Sequence, residues 1–460
     1  MFTLILVLFY STPDSQPIRN AFESHVRFLS SDELEGRETS FHGQKIAARY
    51  LETQFKLNGA LPAFAEGYIQ SYPVWVHGLD EEETVLIADK GRTRLTLDED
   101  FMLYARFTAE GQFEGPIAYV GQHTEYSLGV NGRWAMIVDS GSNDGPTIRD
   151  RVLKLRDQGA LGAMIVPLTE GQSFSAGSPA FRQMSLSPNP FDVRFTFPTV
   201  RLTLQACEQL IGNQAAKHAG QPFYVRGVRA RLQVKKRSFE KTGDNVAALI
   251  RGSDLQEETI IVSAHYDHLG MMGRHIFNGA DDNASGTATL LVLADQLARS
   301  APRRNLILLA VSGEEVGLLG SSYFLEHPPV ALEKIVANIN IDMIGRNDGN
   351  TIGVIPAFED VSTLTLRTRE LASQLGIHLQ QDLDRFHRRS DHYNFVKSGI
   401  PAVFFFSDLH DDYHGEDDHW DRINFDKLAR VYTLIEALVV DSLNRDEPPH
   451  FVNEKDTVNP

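Results

Sequence analysis

The chain has a single cysteine, Cys207, among 460 residues. No intrachain disulfide can form, and Cys₄ or Cys₂His₂ zinc sites are excluded, so any metal must be held by histidine and carboxylate. Positive charge is also scarce. Lys and Arg number 44 against 61 Asp and Glu, a formal charge of −17. That balance disfavours nucleic acid as a partner, because a phosphate backbone needs a positive face. Long apolar runs are missing too. The first ten residues, MFTLILVLFY, fall short of the roughly 18 to 20 that span a bilayer, and no other stretch is long and apolar enough, so no membrane span is expected. The run fits the apolar core of a secretory signal within residues 1–16, followed by STPDSQP, although a basic leading region and a clear small-x-small cleavage site are lacking. Export to the periplasm or the exterior is the expectation.

What is present is a succession of short apolar runs. A chain of this length exceeds a single core, so two domains are the default. Ile18, Phe22, Val26 and Leu29 share one helical face. Ile46, Ala47, Tyr50, Leu51 and Phe55 share another, closed by Asn58-Gly59. Short alternating strands follow from about Gly67 to Arg106. Then comes a small α/β unit: GPIAYVG, RWAMIVDSG, a helix carrying Ile148, Val152 and Leu155, AMIVPL and TFPTVRLTL. The polar stretch KKRSFEKTGDN at 235–245 reads as a junction, after which a larger sheet resumes, and Leu428, Val431, Ile435 and Leu438 mark a closing helix. These features predict an α/β catalytic domain split between residues 17–80 and 240–446, a module inserted at 81–239, and a charged tail at 447–460.

The chemistry sits where the apolar runs stop. TIIVSA leads into His265, NLILLAVSG into Glu314 and Glu315, KIVANINI into Asp342, and IPAVFFF towards His414. Such runs resemble buried parallel strands, and open α/β sheets bind ligands beyond the carboxyl ends of their strands. In His265-Tyr266-Asp267, positions i and i+2 of an extended segment point the same way, so Asp267 could orient the imidazole of His265; alone, such a triplet more often marks a structural histidine. Asp281 and Asp282 lie in NGADDNASG, before a helix. Capping explains Asn283 and Ser285, but two adjacent aspartates exceed what a cap requires, and one could bridge two cations. Glu314 and Glu315 repel each other at an apolar strand end unless positive charge is near. Neighbours on an extended backbone face opposite ways, so one can ligate while the other acts as general base. By spacing alone, His387, His392, His410, His414 and His419 are all candidates. Histidines with carboxylates suit zinc or another borderline divalent ion, and a bridging carboxylate suits a pair of ions about 3.5 to 4 Å apart.

HYDHLG, GADDNASG, SGEEVGLLGS, NIDMIGR, RSDHYNF and DYHGEDD, in this order, resemble the zinc aminopeptidases that include bacterial leucyl aminopeptidase and are related to glutamate carboxypeptidase. LSSDELEGRETSFHG resembles the opening of these enzymes, and residues 115–212 resemble the protease-associated domain often inserted in them. The resemblance runs from about Pro17 to Leu443. It implies a three-layer zinc-exopeptidase fold with a mixed, mainly parallel sheet, and two Zn²⁺ ions per chain. Asp281 would be the bridging carboxylate, with a cis Asp281–Asp282 peptide. His265 and Asp342 would complete one zinc, and Glu315 and His414 the other. Glu314 would be the general base and Asp267 the residue orienting His265, leaving His268, His410 and His419 as supporting or surface residues.

The implied reaction is hydrolysis of N-terminal residues from peptides, with Glu314 moving the proton. A dipeptidase or carboxypeptidase of the glutamate carboxypeptidase type is the alternative, since Arg385, Arg388 and Arg389 could grip a substrate carboxylate. A glutaminyl cyclase-like acyltransferase, with one metal, and a non-catalytic relative lacking ligands are further alternatives. The stretch Phe386-His387-Arg388-Arg389 has no tyrosine to support an oxyanion, and His387 or an arginine is the substitute.

Overall fold

The computed structural model describes residues 16–452 apart from 81, 89–91, 98, 104–107, 124–127, 140–146, 169–182, 189–196, 213, 215–220, 273 and 357–360. The apolar N-terminal run and the last eight residues lie outside the described residues. The chain parts into two compact units: Met1–Tyr72 with Thr242–Met271 and Ile276–Pro460, and Pro73–Lys241 with Met272–His275. The divisions fall inside regular strands, Ile69–Leu79 and Lys236–Ile250. One of these divisions, at Lys241/Thr242, falls within the polar stretch 235–245 read as a junction, and the chain there is a continuous strand.

In the larger unit, Arg304–Val311, Leu255–His265, Ile335–Ile341 and Ala402–Phe406 run side by side and parallel. Val246–Ile250 pairs antiparallel with Leu306–Ala310, and Gly353–Ile355 pairs antiparallel with Phe404–Phe406. Successive strand residues serve opposite faces. Ile260, Val262, Leu306 and Leu308 join one core, whereas Ile261, Ile307 and Leu309 join another. A sheet covered on both faces needs unbroken apolar runs, which is why the strands carry them.

Helix Gly286–Leu297 is apolar nearly all round and is buried for most of its length. Helix Gln16–Leu29 covers the same side with Phe22, Val26 and Leu29, as does helix His42–Asn58 with Ala47, Leu51 and Phe55; Gly59 closes the latter at φ 90°. The closing helix Phe425–Asn444 adds Leu428, Val431, Ile435 and Leu438. Truncating a residue such as Leu291 to Ala here would cost about 2–5 kcal/mol, because the rigid frame cannot collapse on the void.

The second unit is built on an eight-stranded sheet among the described residues, centred on Phe223–Val234, Gly111–Gly121, Trp134–Asp139 and Gly162–Pro167. Helix Ile148–Asp157 packs Val152 and Leu155 on one face, and helix Leu204–Ile211 packs Leu210 and Ile211 on the other. Gly162 is obligatory: a Cβ there would lie 2.4 Å from the Trp134 ring and 2.7 Å from the Pro198 carbonyl oxygen.

Candidate metal centre

His265 closes its strand, Glu314 and Glu315 follow strand Arg304–Val311 after a two-residue turn, and Asp342 directly follows strand Ile335–Ile341. His414 sits at φ 55° in the loop beyond strand Ala402–Phe406. The parallel register therefore delivers side chains from neighbouring strands to one end of the sheet. Gly313, at φ 77°, makes the turn before the glutamates, and a Cβ there would press on the Tyr72 hydroxyl at 3.0 Å.

His265 Nε2 lies 3.2 Å from both Asp282 Oδ1 and Asp342 Oδ1. Asp282 Oδ2 is 3.1 Å from His414 Nε2, which is also 3.2 Å from Glu315 Oε2. His265, Asp282 and Glu315 each offer a ligand atom within 4.8 Å of the others. Asp282 thus stands between two histidine–carboxylate pairs.

The position expected for Asp281 is therefore taken by its neighbour. Asp281 turns away: its Oδ1 accepts from the Gly345 N–H at 2.6 Å, and its Oδ2 lies 3.5 Å from His410 Nε2. The cause is Asp418, 137 residues downstream. Its buried carboxylate accepts the N–H groups of Asp281 and Asp282 at 3.0 and 3.1 Å and so sets the rotation of the turn. The cis peptide is likewise displaced by one residue and joins Asp282 to Asn283. The side chain of Asn283 ties the turn to the end of strand Ile335–Ile341, donating to the Ile341 carbonyl at 2.9 Å and accepting from the Met343 N–H at 3.2 Å.

Asp267 also departs from expectation. His265 Nδ1 faces the main-chain oxygen of Asp267 at 3.1 Å, while the carboxylate is 3.7 Å away. The carboxylate serves other groups: Oδ2 accepts from the Thr39 hydroxyl at 2.7 Å and Oδ1 from the Glu314 N–H at 3.4 Å. Ser390 and Arg37 carried no signal in the spacing, and His268 takes a supporting place. Ser390 donates to Asp342 Oδ2 at 2.8 Å and accepts from Asn340 Nδ2 at 2.8 Å. Buried His268 brings Nδ1 within 2.8 Å of Glu315 Oε1. Buried Arg37 donates to the carbonyls of Tyr266, Asn278, Gly279 and Leu29. Of the other histidines, His410 is buried beside Asp281, and His419 Nδ1 is 3.2 Å from Asn278 Nδ2. Arg385 is committed to Asp408 at 3.2 Å, and Arg388 lies over the Tyr393 ring at 5.6 Å.

Burial and the close approach of like and unlike charges set the electrostatics of the cluster. Burial raises Glu314 well above the usual carboxylate range, and Glu315 and Asp342 add to the effect against the pull of His265. Burial alone would depress His265, but Asp342 and Glu314 more than reverse it and hold it well above the ordinary imidazole value. His414 is likewise raised to about 10, its burial outweighed by Glu315 and Asp282. Burial and the neighbouring Asp282 would raise Glu315, yet His414 and His268 bring it down to about 2. Gathering carboxylates away from water is costly unless cations share the space, so a cluster of this composition suits a bound cation. Imidazole nitrogens with carboxylate oxygens at these separations form a donor set suited to borderline divalent ions.

The architecture is that of solved zinc-aminopeptidase structures. The chain resembles BSAP, a zinc aminopeptidase from Bacillus subtilis, with a TM-score of 0.65 at 20% identity over 93% of this chain and 95% of that one. It resembles an aminopeptidase from Aneurinibacillus sp. strain AM-1 with a TM-score of 0.57 at 22% identity, covering 95% and 96% of the two chains. Residues 245–439 match the model for peptidase family M28. Among curated relatives, a probable zinc metalloprotease of Leptosphaeria maculans is 30% identical over 215 residues, 39% of this chain and 49% of that protein. Aminopeptidase YwaD of Bacillus subtilis is 25% identical over 246 residues, 48% and 50%. The chain spans about half the length of these curated relatives.

Proposed function

We propose that the chain is a zinc-dependent exopeptidase of the aminopeptidase type, acting on peptides with a free N-terminus. The observation that carries this reading is the buried cluster of His265, Asp282 and Glu315, with His414 and Asp342 adjoining and Glu314 alongside. Asp282 would bridge two zinc ions, His265 and Asp342 would hold one, and Glu315 and His414 the other. Bound there, such ions supply an acidified water and polarise a substrate carbonyl.

The chain's own residues do the rest. Glu315 is held by His268 and His414, which leaves Glu314 as the carboxylate that can exchange protons with substrate. Placed beside the cluster, Glu314 would take a proton from the attacking water and return it to the leaving amine. No side chain has to form a covalent intermediate. The relatives' names as aminopeptidases support the choice of substrate end, and so does the Arg385–Asp408 pair, which removes one arginine from a carboxylate grip. The inserted unit is read as a protease-associated module from the resemblance of residues 115–212.

The test is to count zinc in purified protein and to assay aminoacyl anilides beside N-blocked dipeptides, with and without chelator. Expected are close to two zinc per chain, cleavage only where the amine is free, and loss of activity on chelation. Glu314→Gln is expected to lower kcat by roughly 10²- to 10⁴-fold with zinc retained. Preference for N-blocked substrates with a free carboxylate would overturn the aminopeptidase assignment.

A further inference from the structure

The Asp267 carboxylate lies 3.7 Å from the imidazole it was expected to orient and has its hydrogen bonds elsewhere. Thr39 donates its hydroxyl proton to Asp267 Oδ2 at 2.7 Å and accepts the Gly313 N–H at 2.9 Å, while Asp267 Oδ1 faces the Glu314 N–H at 3.4 Å. The two peptide N–H groups that lead into Glu314 therefore both end on the Thr39–Asp267 pair. Thr39 is 1% exposed and Asp267 fully buried, so no water competes for these groups.

The segment holding Thr39 is itself fastened. Arg37, two residues earlier, reaches the carbonyl of Tyr266, next to His265, and those of Asn278 and Gly279, just before the aspartate turn. His268 N–H returns a bond to the Arg37 carbonyl at 3.3 Å. Arg37 and Ser40 stand at φ 51° and 71°, left-handed values that non-glycine residues keep only when the surroundings over-determine them. A strap of four residues thus touches each loop that delivers His265, Asp282 and Glu314.

We propose that Thr39 is a positioning residue for Glu314: with Asp267 it fixes the 313–315 turn, so that Glu314 and Glu315 diverge at a set angle. This rests on the reading of Glu314 as the general base. A base held through two peptide N–H groups is sensitive to small displacements, and a misplacement of about 1 Å can lower a rate by roughly 10²-fold. Thr39 touches neither substrate nor the candidate ligands, so its loss affects turnover more than binding.

The test compares Thr39→Val, which keeps the shape and loses the hydroxyl, with Thr39→Ser, which keeps the hydroxyl, in the full-length zinc-loaded protein. Expected for Thr39→Val are a kcat lower by roughly 10- to 100-fold, as for outer groups that orient a metal site, a KM within about twofold, and unchanged zinc per folded chain. Hydrogen exchange should quicken in a peptide spanning 312–318. Thr39→Ser should recover most of the kcat. If Thr39→Val does not fold, Thr39→Ala, which leaves room for a water, takes its place. The proposal is overturned if kcat per bound zinc stays at the wild-type value, if activity falls only with zinc or folded protein, or if Ser rescues no better than Val. Glu314→Gln run in parallel separates the two ideas: wild-type activity there defeats the base assignment, whereas an inactive Glu314→Gln beside a normal Thr39→Val defeats only the role of Thr39.

Discussion

Both units contain parallel strands, but they finish those strands differently. In the inserted unit, the ends of Gly111–Gly121 and Trp134–Asp139 are closed by Arg151, whose buried guanidinium donates to the carbonyls of Val138 and Gly121 at 2.8 and 2.7 Å. In the larger unit, the equivalent ends carry His265, Glu314, Glu315 and Asp342. The charge differs in step. The inserted unit has 21 Lys and Arg against 19 Asp and Glu, and the larger unit 23 against 42. One α/β framework satisfies its own backbone; the other gathers buried histidines and carboxylates suited to a cation. Fold class alone does not make a site, and the residues at strand ends do.

The contrast can be broken at several points, beginning with the largest effect. Asp282→Asn is expected to abolish zinc binding and with it activity, whereas Asp281→Asn keeps an oxygen for the Gly345 N–H and retains zinc. Zinc counts and kcat/KM on the two variants decide the register, and the reverse pattern would restore Asp281 as the bridge. In the inserted unit, Arg151→Met leaves the two carbonyls without their donor, costing about 1–3 kcal/mol for each orphaned group. Thermal unfolding should show that loss while zinc content stays unchanged. Gly162→Ala overpacks Trp134 and should cost about 1–3 kcal/mol, again with zinc unaffected.

A further contrast concerns pH in the metal-free chain. His414 is raised from 6.5 to about 10 by Glu315 and Asp282 against its burial, so its contribution to stability is complete below 6.5 and lost as pH rises through about 10. Melting in chelator from pH 6 to 10 should therefore fall more steeply for wild type than for His414→Gln. Equal slopes would show that this proton is not held by the two carboxylates.

Much of the larger unit is legible locally. The buried strands announce themselves as apolar runs because both faces of the sheet are covered, and the residue after each run is placed at the sheet's end by the strand itself. The helical faces of residues 16–29, 42–58 and 425–444 follow from spacing for the same reason. Illegible were the choices between neighbours. Asp281 and Asp282 share one local pattern, and Asp418 selects between them from 136 or more residues away. The partner of Asp267 is likewise 228 residues distant, so no spacing rule could join it to Thr39.

The sequence by itself determined the class of the fold, the order of the strand-end acids and histidines, and the exclusion of cysteine-based sites, since each follows from composition or short-range periodicity. Only the tertiary structure decided which aspartate faces the histidines, what the Asp267 carboxylate holds, and how the opening segment braces the glutamate turn. Those outcomes depend on hydrogen bonds made across the fold, where directional donors and acceptors meet only after the apolar elements have packed.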